Sequence, residues 1–554
     1  MDRDFGAESE RITPAYRPVQ VKKTAPCQEG CANCGDIRGW IGTVAQRSKL
    51  GISREEAFAR SWRMIADVNP FPGSLGRVCP HPCEERCNRS SKDEPLAINA
   101  MERFLGDWAI EHAQELERLE NVSAEGWIGV VGAGPSGLSF AYQMARRGYR
   151  VTIYESRAQA GGMLRFGVPD YRLPQDVLDA EIQRIIDLGV DLKLNTAVGR
   201  DISLEALRAR HVSLYLGIGA QKGRGIGIPG EKGSSVWTGT DFLSRINCGE
   251  EIDLGSSVVV IGGGNTAIDA ARVAKRSGAE VTVLYRRSRE EMPAIEFEIE
   301  DALEEGINLV LLAAPMRVER TTDGKLDKLI ACRMRLGEPD ASGRRRPLEV
   351  PDSEFRLPLD TLIAAVSQSP VLEGLDALSH EGDWLVADAS GAVGHDVLAG
   401  GDVLELGIAG SAIMQGRMAA EQVISRLRGI QNDVSLNASP PHVESNQVKL
   451  DSRPESDAVM EFKLAGDERI TMGSAEVVGT ISEQQFLAEA ERCFSCGSCF
   501  GCEQCSMYCT SGCFTKVEEV VPGMYFTLAL DECKECGKCI EVCPSGFLEV
   551  RATE

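Results

Sequence analysis

Two strand, glycine-turn and helix stretches in mid-chain, with dense cysteine groups towards both ends, predict an α/β fold. The expected layout is two Rossmann-like nucleotide-binding domains, one inserted in the other. A helical iron-sulfur domain precedes them and a two-cluster ferredoxin-like domain follows.

The first stretch begins with the short apolar strand Trp127-Ile128-Gly129-Val130-Val131 and runs into Gly132-Ala133-Gly134-Pro135-Ser136-Gly137. In such a turn Gly132 permits the tight bend, Gly134 lets a pyrophosphate approach the backbone, and Gly137 lets helix and strand pack closely. The helix start beyond it offers unpaired N–H groups to phosphate. Glu155, closing the next strand Val151-Thr152-Ile153-Tyr154, is placed to accept hydrogen bonds from a ribose. The second stretch repeats the pattern. Ser257-Val258-Val259-Val260-Ile261 leads to Gly262-Gly263-Gly264-Asn265-Thr266-Ala267, with Val281 to Tyr285 as the following strand. One such turn is weak evidence, whereas two in one chain point to two dinucleotides.

The acidic residue that would favour NAD at the end of the second pattern is replaced by Tyr285-Arg286-Arg287. Two guanidinium groups suit the extra 2'-phosphate of NADP, so NADP(H) is the expected second cofactor and NAD(H) the alternative. A formal net charge of -23 argues against nucleic acid as partner, and no apolar run is long enough to span a bilayer. The first residues lack the apolar core of a signal peptide, so a cytoplasmic chain is expected.

Nineteen cysteines carry the strongest compositional signal. Cys27, Cys31, Cys34, Cys79, Cys83 and Cys87 form one group, Cys248 and Cys332 stand alone, and the rest crowd between Cys493 and Cys543. Such clusters read as metal or iron-sulfur ligands rather than disulfides. Zinc is the bland alternative, yet Cys31 and Cys34 make the only close pair of zinc-like spacing in the first group. In the tail, Cys499, Cys502, Cys505 and Cys509 make one C-x2-C-x2-C-x3-C run, and Cys533, Cys536, Cys539 and Cys543 make another. In two-cluster ferredoxins the fourth cysteine of each run ligates the other cluster. That rule assigns Cys499, Cys502, Cys505 and Cys543 to one 4Fe-4S cluster, and Cys533, Cys536, Cys539 and Cys509 to the other. Cys493, Cys496 and Cys513 are left over.

In chain order, residues 1–24 read as a loose tail or partner-binding arm and 25–122 as the helical iron-sulfur domain. Within the latter a helix spans about Ser53 to Val68, capped by Ser53 and Glu56, and another runs from about Ile98 to Leu119. Residues 123–238 and 362–430 form the flavin-binding domain, interrupted by a nucleotide domain over 239–361. Gly161 to Met163 and Leu164 would let a flat ring approach closely. Gly401-Asp402 lies on a loop before a helix that opens near Met414. Residues 431–482 lack periodicity and read as a linker, and 483–554 form the ferredoxin-like tail.

This ordered set resembles the family of the small subunit of NADPH-dependent glutamate synthase, in its ferredoxin-tailed branch. The resemblance covers about residues 25–430 and implies FAD on Gly132 to Gly137, Glu155, Gly162-Met163-Leu164 and Gly401-Asp402. It implies NADP(H) on Gly262 to Ala267, with Arg286 and Arg287. It also implies an N-terminal cluster on Cys31, Cys79, Cys83 and Glu102. Cys27 and Cys87 match ligands of a second cluster, but the usual further cysteine pair is missing and only Cys34 is offered. The N-terminal module therefore holds one cluster or two.

The expected activity is exchange of hydride between NAD(P)H and FAD, with single electrons passed through the clusters to or from a catalytic partner subunit or ferredoxin-linked oxidoreductase. Such a chain works as part of a hetero-oligomer, and no side chain need act as nucleophile. Two alternatives stay open: NAD(P)+ reduction driven by a ferredoxin or 2-oxoacid oxidoreductase, bifurcation included, and a non-catalytic electron-wiring subunit.

Overall fold

The computed structural model describes residues 15–120, 126–340, 343–388, 390–430 and 441–553. The first fourteen residues of the predicted tail, the start of the predicted linker and the expected boundary near 122 lie outside the described residues.

Two parallel sheets form the centre. In the first, the strands run in the order Ala392–Gly394, Val397–Ala399, Ser213–Leu216, Trp127–Val131, Arg150–Tyr154 and Asp191–Lys193. All its pairings are parallel except the one at the Ala392–Gly394 edge. The second sheet is parallel throughout, ordered Asn308–Val310, Glu280–Leu284, Ser257–Ile261, Thr361–Ala364 and Val236–Thr238. Its strands all fall in sequence between Ser213–Leu216 and Val397–Ala399, so one sheet interrupts the other. The apolar runs 128–131 and 258–261 are buried throughout, as expected for strands covered on both faces. An antiparallel meander from Ala313 to Pro358 packs on the second sheet and shares a core with Val259, Ile261 and Leu284.

The N-terminal helices include Ile37–Ala45, Arg54–Ala66, Pro72–Val78 and Ile98–Glu111. Ser53 caps the second of these, its side chain accepting from Glu56 N. The last stops at Glu111, short of the expected Leu119, because Ala113 turns the chain with φ 46°. The helix expected to open at Met414 instead begins at Ala409, after the extended Ile408.

Two expectations need correction. The described part of the tail contains a strand: Ala15–Gln20 pairs antiparallel with Leu548–Thr553. Lys23 reinforces the seam with an ion pair to Glu549 at 2.8 Å and a hydrogen bond to Gly546 O at 2.6 Å. The described part of the predicted linker, residues 441–482, is a strap seated on three other parts of the fold. Arg469 pairs with Asp301 at 3.1 Å and Glu304 at 2.9 Å, Val477 N donates to Tyr171 O at 3.1 Å, and Glu476 accepts from Arg77 and Arg103. Its order comes from charges and backbone groups on other elements, which leave no periodic signature.

The segment that follows, with the helix Glu483–Glu491, packs into the core of the N-terminal helices. Phe486 meets Phe58 edge-on at 5.3 Å and Phe104 at 4.9 Å, and Ile481, Ala490 and Cys493 join the same apolar cluster.

Candidate functional site: two dinucleotide cavities flanked by cysteine groups

The first glycine turn sits where the geometry requires it. Gly132 has φ 96°, and a Cβ on Gly137 would lie 2.0 Å from Gly132 O, so helix Pro135–Ala145 reaches its strand only with glycine there. Around this turn lies a cavity of about 550 Å3, lined by Gly132, Gly134, Pro135, Ser136, Glu155, Gly162, Met163, Leu164, Gly401 and Asp402. Gly137 packs behind it. Glu155 accepts from Ala133 N at 2.7 Å and Arg157 N at 2.9 Å, which fixes its carboxylate at the rim. Gly162 faces Gly134 so closely that a Cβ on it would fall 2.7 Å from Gly134 Cα.

Sequence reading missed part of this lining: Gly217 and Gly219 after the strand Ser213–Leu216, and Ile408 to Gly410 at the start of helix Ala409–Leu427. The signal available for the former was an apolar strand followed by Gly-Ile-Gly.

A second cavity, about 540 Å3, surrounds the other turn. Gly262, Gly264 and Thr266 line it, Ala267 is buried behind them, and Asn265 instead lines the first cavity, its Oδ1 accepting from Ile295 N at 2.9 Å. Thr266, Asp402 and Gly407 line both cavities, so the two meet there. Burial raises the Asp402 carboxyl above its ordinary range, while Gly407 N donates to it at 3.1 Å.

The expected arginine pair is not equivalent. Arg286 is exposed at the second cavity. Arg287 is buried, donating through Nη2 to Asp340 at 2.8 Å and through Nε to Arg345 O at 2.9 Å. Two of its five N–H groups bond the inserted meander, and Arg287 lines the second cavity beside Arg286, which is the exposed member of the pair.

Cys79 lines the first cavity, placing a thiol beside the first dinucleotide site. Cys31, Cys79, Cys83 and Glu102 gather there: Glu102 acts electrostatically on all three thiols, and Cys31 acts on Cys79 and Cys83. Asn69 Nδ2 donates to Glu102 Oε1 at 2.7 Å, and His81 N donates to Cys79 Sγ at 3.4 Å. Burial pushes the Cys79 thiol up to about 12 and the Glu102 carboxyl up to about 7, and raises Cys83 further still. A bound cation would reverse those shifts by favouring the ionised ligands.

In the tail, Cys499, Cys502, Cys505 and Cys543 line one cavity, the set drawn from their spacing. Cys509 and Cys536 act electrostatically on Cys539, and Cys509 and Cys533 act on Cys513, whose N donates to Cys509 Sγ at 3.3 Å. No three His, Cys, Asp or Glu side chains among the described residues close on a point where one metal ion would bind. Four thiols on one cavity wall are a donor set that suits a 4Fe-4S cluster.

Cys27 and Cys87 line a further cavity, separate from that of Cys79. The exposed Cys34, the one further cysteine the N-terminal module offers, is absent from its wall. With φ 53°, Cys34 belongs to the turn after Cys31, and it acts electrostatically on that thiol.

Paired dinucleotide cavities meeting at one point, with thiol groups beside them, define a pyridine-nucleotide oxidoreductase. The chain belongs to the pyridine nucleotide-disulphide oxidoreductase family, whose profile matches residues 128–422. Residues 4–114 match the dihydropyrimidine dehydrogenase domain II, 4Fe-4S cluster profile. Among curated relatives, the chain is 41% identical over 372 residues to the NADPH-Fe(3+) oxidoreductase subunit beta of Geobacter sulfurreducens, covering 65% of this chain and 54% of that one. It is 38% identical over 462 residues to the NADP(+)-dependent formate dehydrogenase subunit beta of Moorella thermoacetica, covering 77% and 63%. The chain thus spans about half to two thirds of the length of these relatives. Over 469 residues it is 29% identical to the glutamate synthase [NADPH] small chain of Escherichia coli, covering 76% of this chain and 97% of that one. The solved structure of the Mycobacterium tuberculosis oxidoreductase FprA shares the fold, with TM-score 0.50 and 17% identity, over 56% of this chain and 86% of that one. Among the described residues, no helix is long and apolar enough to cross a membrane.

Proposed function

We propose that this chain is an electron-transfer flavoprotein subunit, exchanging hydride between NAD(P)H and FAD and passing single electrons through 4Fe-4S clusters to or from a partner oxidoreductase. The observation that carries this reading is the position of Cys79. It lines the same cavity as the first glycine turn, while Thr266, Asp402 and Gly407 join that cavity to the second.

Gly132 to Ser136, Glu155, Gly162 to Leu164, Gly401 and Asp402 would hold FAD. Gly262, Gly264, Thr266 and Arg286 would hold the nicotinamide dinucleotide, with NADP(H) favoured by the exposed arginine. Cys31, Cys79, Cys83 and Glu102 would hold one cluster, Cys499, Cys502, Cys505 and Cys543 a second, and Cys509, Cys533, Cys536 and Cys539 a third. When bound, the flavin supplies the exchange between a hydride pair and single electrons.

The chain's own backbone and side-chain groups do the positioning. The N-terminus of helix Pro135–Ala145 presents backbone N–H groups to a pyrophosphate, and Glu155 is held by two backbone donors at the ribose rim. Buried Asn69 and His81 N orient the Glu102 and Cys79 ligand atoms. Like the relatives whose names describe subunits, the chain would deliver its electrons to a second polypeptide.

The test is isolation under anoxia, with assay of bound flavin, iron and acid-labile sulfide, followed by NADPH-dependent reduction of a one-electron dye. Bound FAD with iron and sulfide, and dye reduction, are expected. A protein that holds zinc instead, or binds flavin but leaves the dye oxidised, would overturn the reading.

A further inference from the structure

The cavity that Cys27 and Cys87 line is closed by residues from the far end of the chain. Cys493 and Cys496 form its other sulfur-bearing wall. Cys87, Cys493 and Cys496 all act electrostatically on Cys27, and Cys493 and Cys87 act on Cys496. Shared packing explains the meeting: Cys87 and Cys493 belong to one apolar core, with Cys27 packed against it.

The surroundings suit sulfur ligands of an anionic cluster. Ser495 N donates to Cys493 Sγ at 3.4 Å, and Asn88 Nδ2 donates to Cys496 Sγ at 3.5 Å. Hydrogen bonds of this kind to cluster sulfurs are among the features that set a cluster's potential. Cations stand close by. Arg38 Nη1 donates to Cys496 O at 2.6 Å, Arg89 lines the cavity, and Arg453, whose Nε is buried without a partner, acts on Cys493.

We propose that Cys27, Cys87, Cys493 and Cys496 ligate one 4Fe-4S cluster, with two ligands from each end of the chain. This inference rests on the iron-sulfur reading above and extends it to a site that the N-terminal module cannot complete alone. It gives Cys493 and Cys496, left over from the ferredoxin pattern, a place. It also sets two clusters side by side, because Cys496 and Cys499 share one loop and Cys499 lines the next cavity. The N-terminal module and the ferredoxin-like tail then become one electronic unit.

The test uses the full chain, purified without oxygen, and compares iron content and the EPR spectrum of the dithionite-reduced protein. Cys493→Ser with Cys496→Ser should lose about four irons, one cubane, and Cys27→Ser with Cys87→Ser should lose the same amount and the same EPR component. Cys34→Ser should keep both. Retained flavin absorbance reports that the variants fold. If the double variants do not, single Cys496→Ser, whose hydroxyl can still ligate, should keep the iron and shift the g values of that one component. Wild-type iron and EPR in the Cys493/Cys496 variant, an unshifted spectrum in Cys496→Ser, or a four-iron loss in Cys34→Ser would overturn the proposal. Absence of iron from the unmodified chain would instead remove the functional reading beneath it.

Discussion

Arg172 Nη1 donates to both carboxylate oxygens of Asp269, at 2.8 and 2.9 Å. This pair ties the glycine-rich loop beside the first dinucleotide cavity to the helix that follows the second glycine turn. Both residues are buried, Arg172 also meets Glu298 at 2.9 Å, and both line the first cavity. Removing one partner of a buried pair leaves a desolvated charge without compensation. Arg172→Met should therefore lower stability by about 3–5 kcal/mol, read as a fall in unfolding midpoint. Arg172→Met with Asp269→Asn should recover part of that loss, and strict additivity of the two changes would contradict the coupling.

Arg286 and Arg287 should separate on mutation. Arg286→Ala should raise KM for NADPH by about tenfold to a hundredfold, the span of one charge-assisted contact, and leave NADH little changed. Arg287→Ala should lower stability by unpinning Asp340, without changing the NADPH to NADH preference. Equal effects of the two substitutions on that preference would show that the buried arginine also reaches the nucleotide.

The first turn offers a second contrast. A Cβ at Gly134 would meet Gly162 Cα at 3.7 Å, an ordinary contact, whereas at Gly137 it would lie 2.0 Å from Gly132 O. Gly134→Ala should fold normally yet retain much less FAD, because the added methyl would fill part of the first cavity where the proposed pyrophosphate would lie. Gly137→Ala should unfold at lower temperature even when stripped of flavin, by about 1–3 kcal/mol or more. Calorimetry of the flavin-free proteins distinguishes the two.

These contrasts mark what was legible in the sequence. The glycine turns and the set of Cys499, Cys502, Cys505 and Cys543 could be read because their logic is local or follows a known spacing. The pairing of Arg287 with Asp340 could not, since Asp340 sits on the inserted meander, and a buried ion pair leaves no trace in the flanking residues. Cys496 lay further out of reach: its hydrogen-bond partner Asn88 is 408 positions away. The strap over residues 441–482 has no period of its own because ion pairs and backbone bonds to other elements hold it. Periodicity reports one element's own face, so contacts that fuse distant modules stay silent.

Stability should also depend on pH through Glu181. Fully buried, it accepts from Gly73 N at 2.6 Å, Ser74 N at 3.0 Å and Ser74 Oγ at 2.6 Å, joining helix Gln175–Asp187 to helix Pro72–Val78. Burial lifts its carboxyl from 4.5 to about 7, against those hydrogen bonds. Below pH 4.5 folded and unfolded chains are both protonated at this site. As pH rises from 4.5 to 7 the unfolded chain loses the proton first, so folded-state stability declines by about 3 kcal/mol across the window. Unfolding midpoints of Glu181→Gln should follow a flatter pH profile there. Parallel profiles for the two proteins would refute the assignment.

The most direct measurement is anaerobic stopped-flow mixing of the purified chain with NADPH, followed across the flavin and iron-sulfur absorbance bands. Rapid bleaching of the flavin band, then bleaching of the iron-sulfur band without any added protein, is the expected result. Flavin that stays oxidised, or flavin that bleaches while the iron-sulfur band remains unchanged through many turnovers, would contradict a path running from the second cavity through the first to Cys79 and beyond.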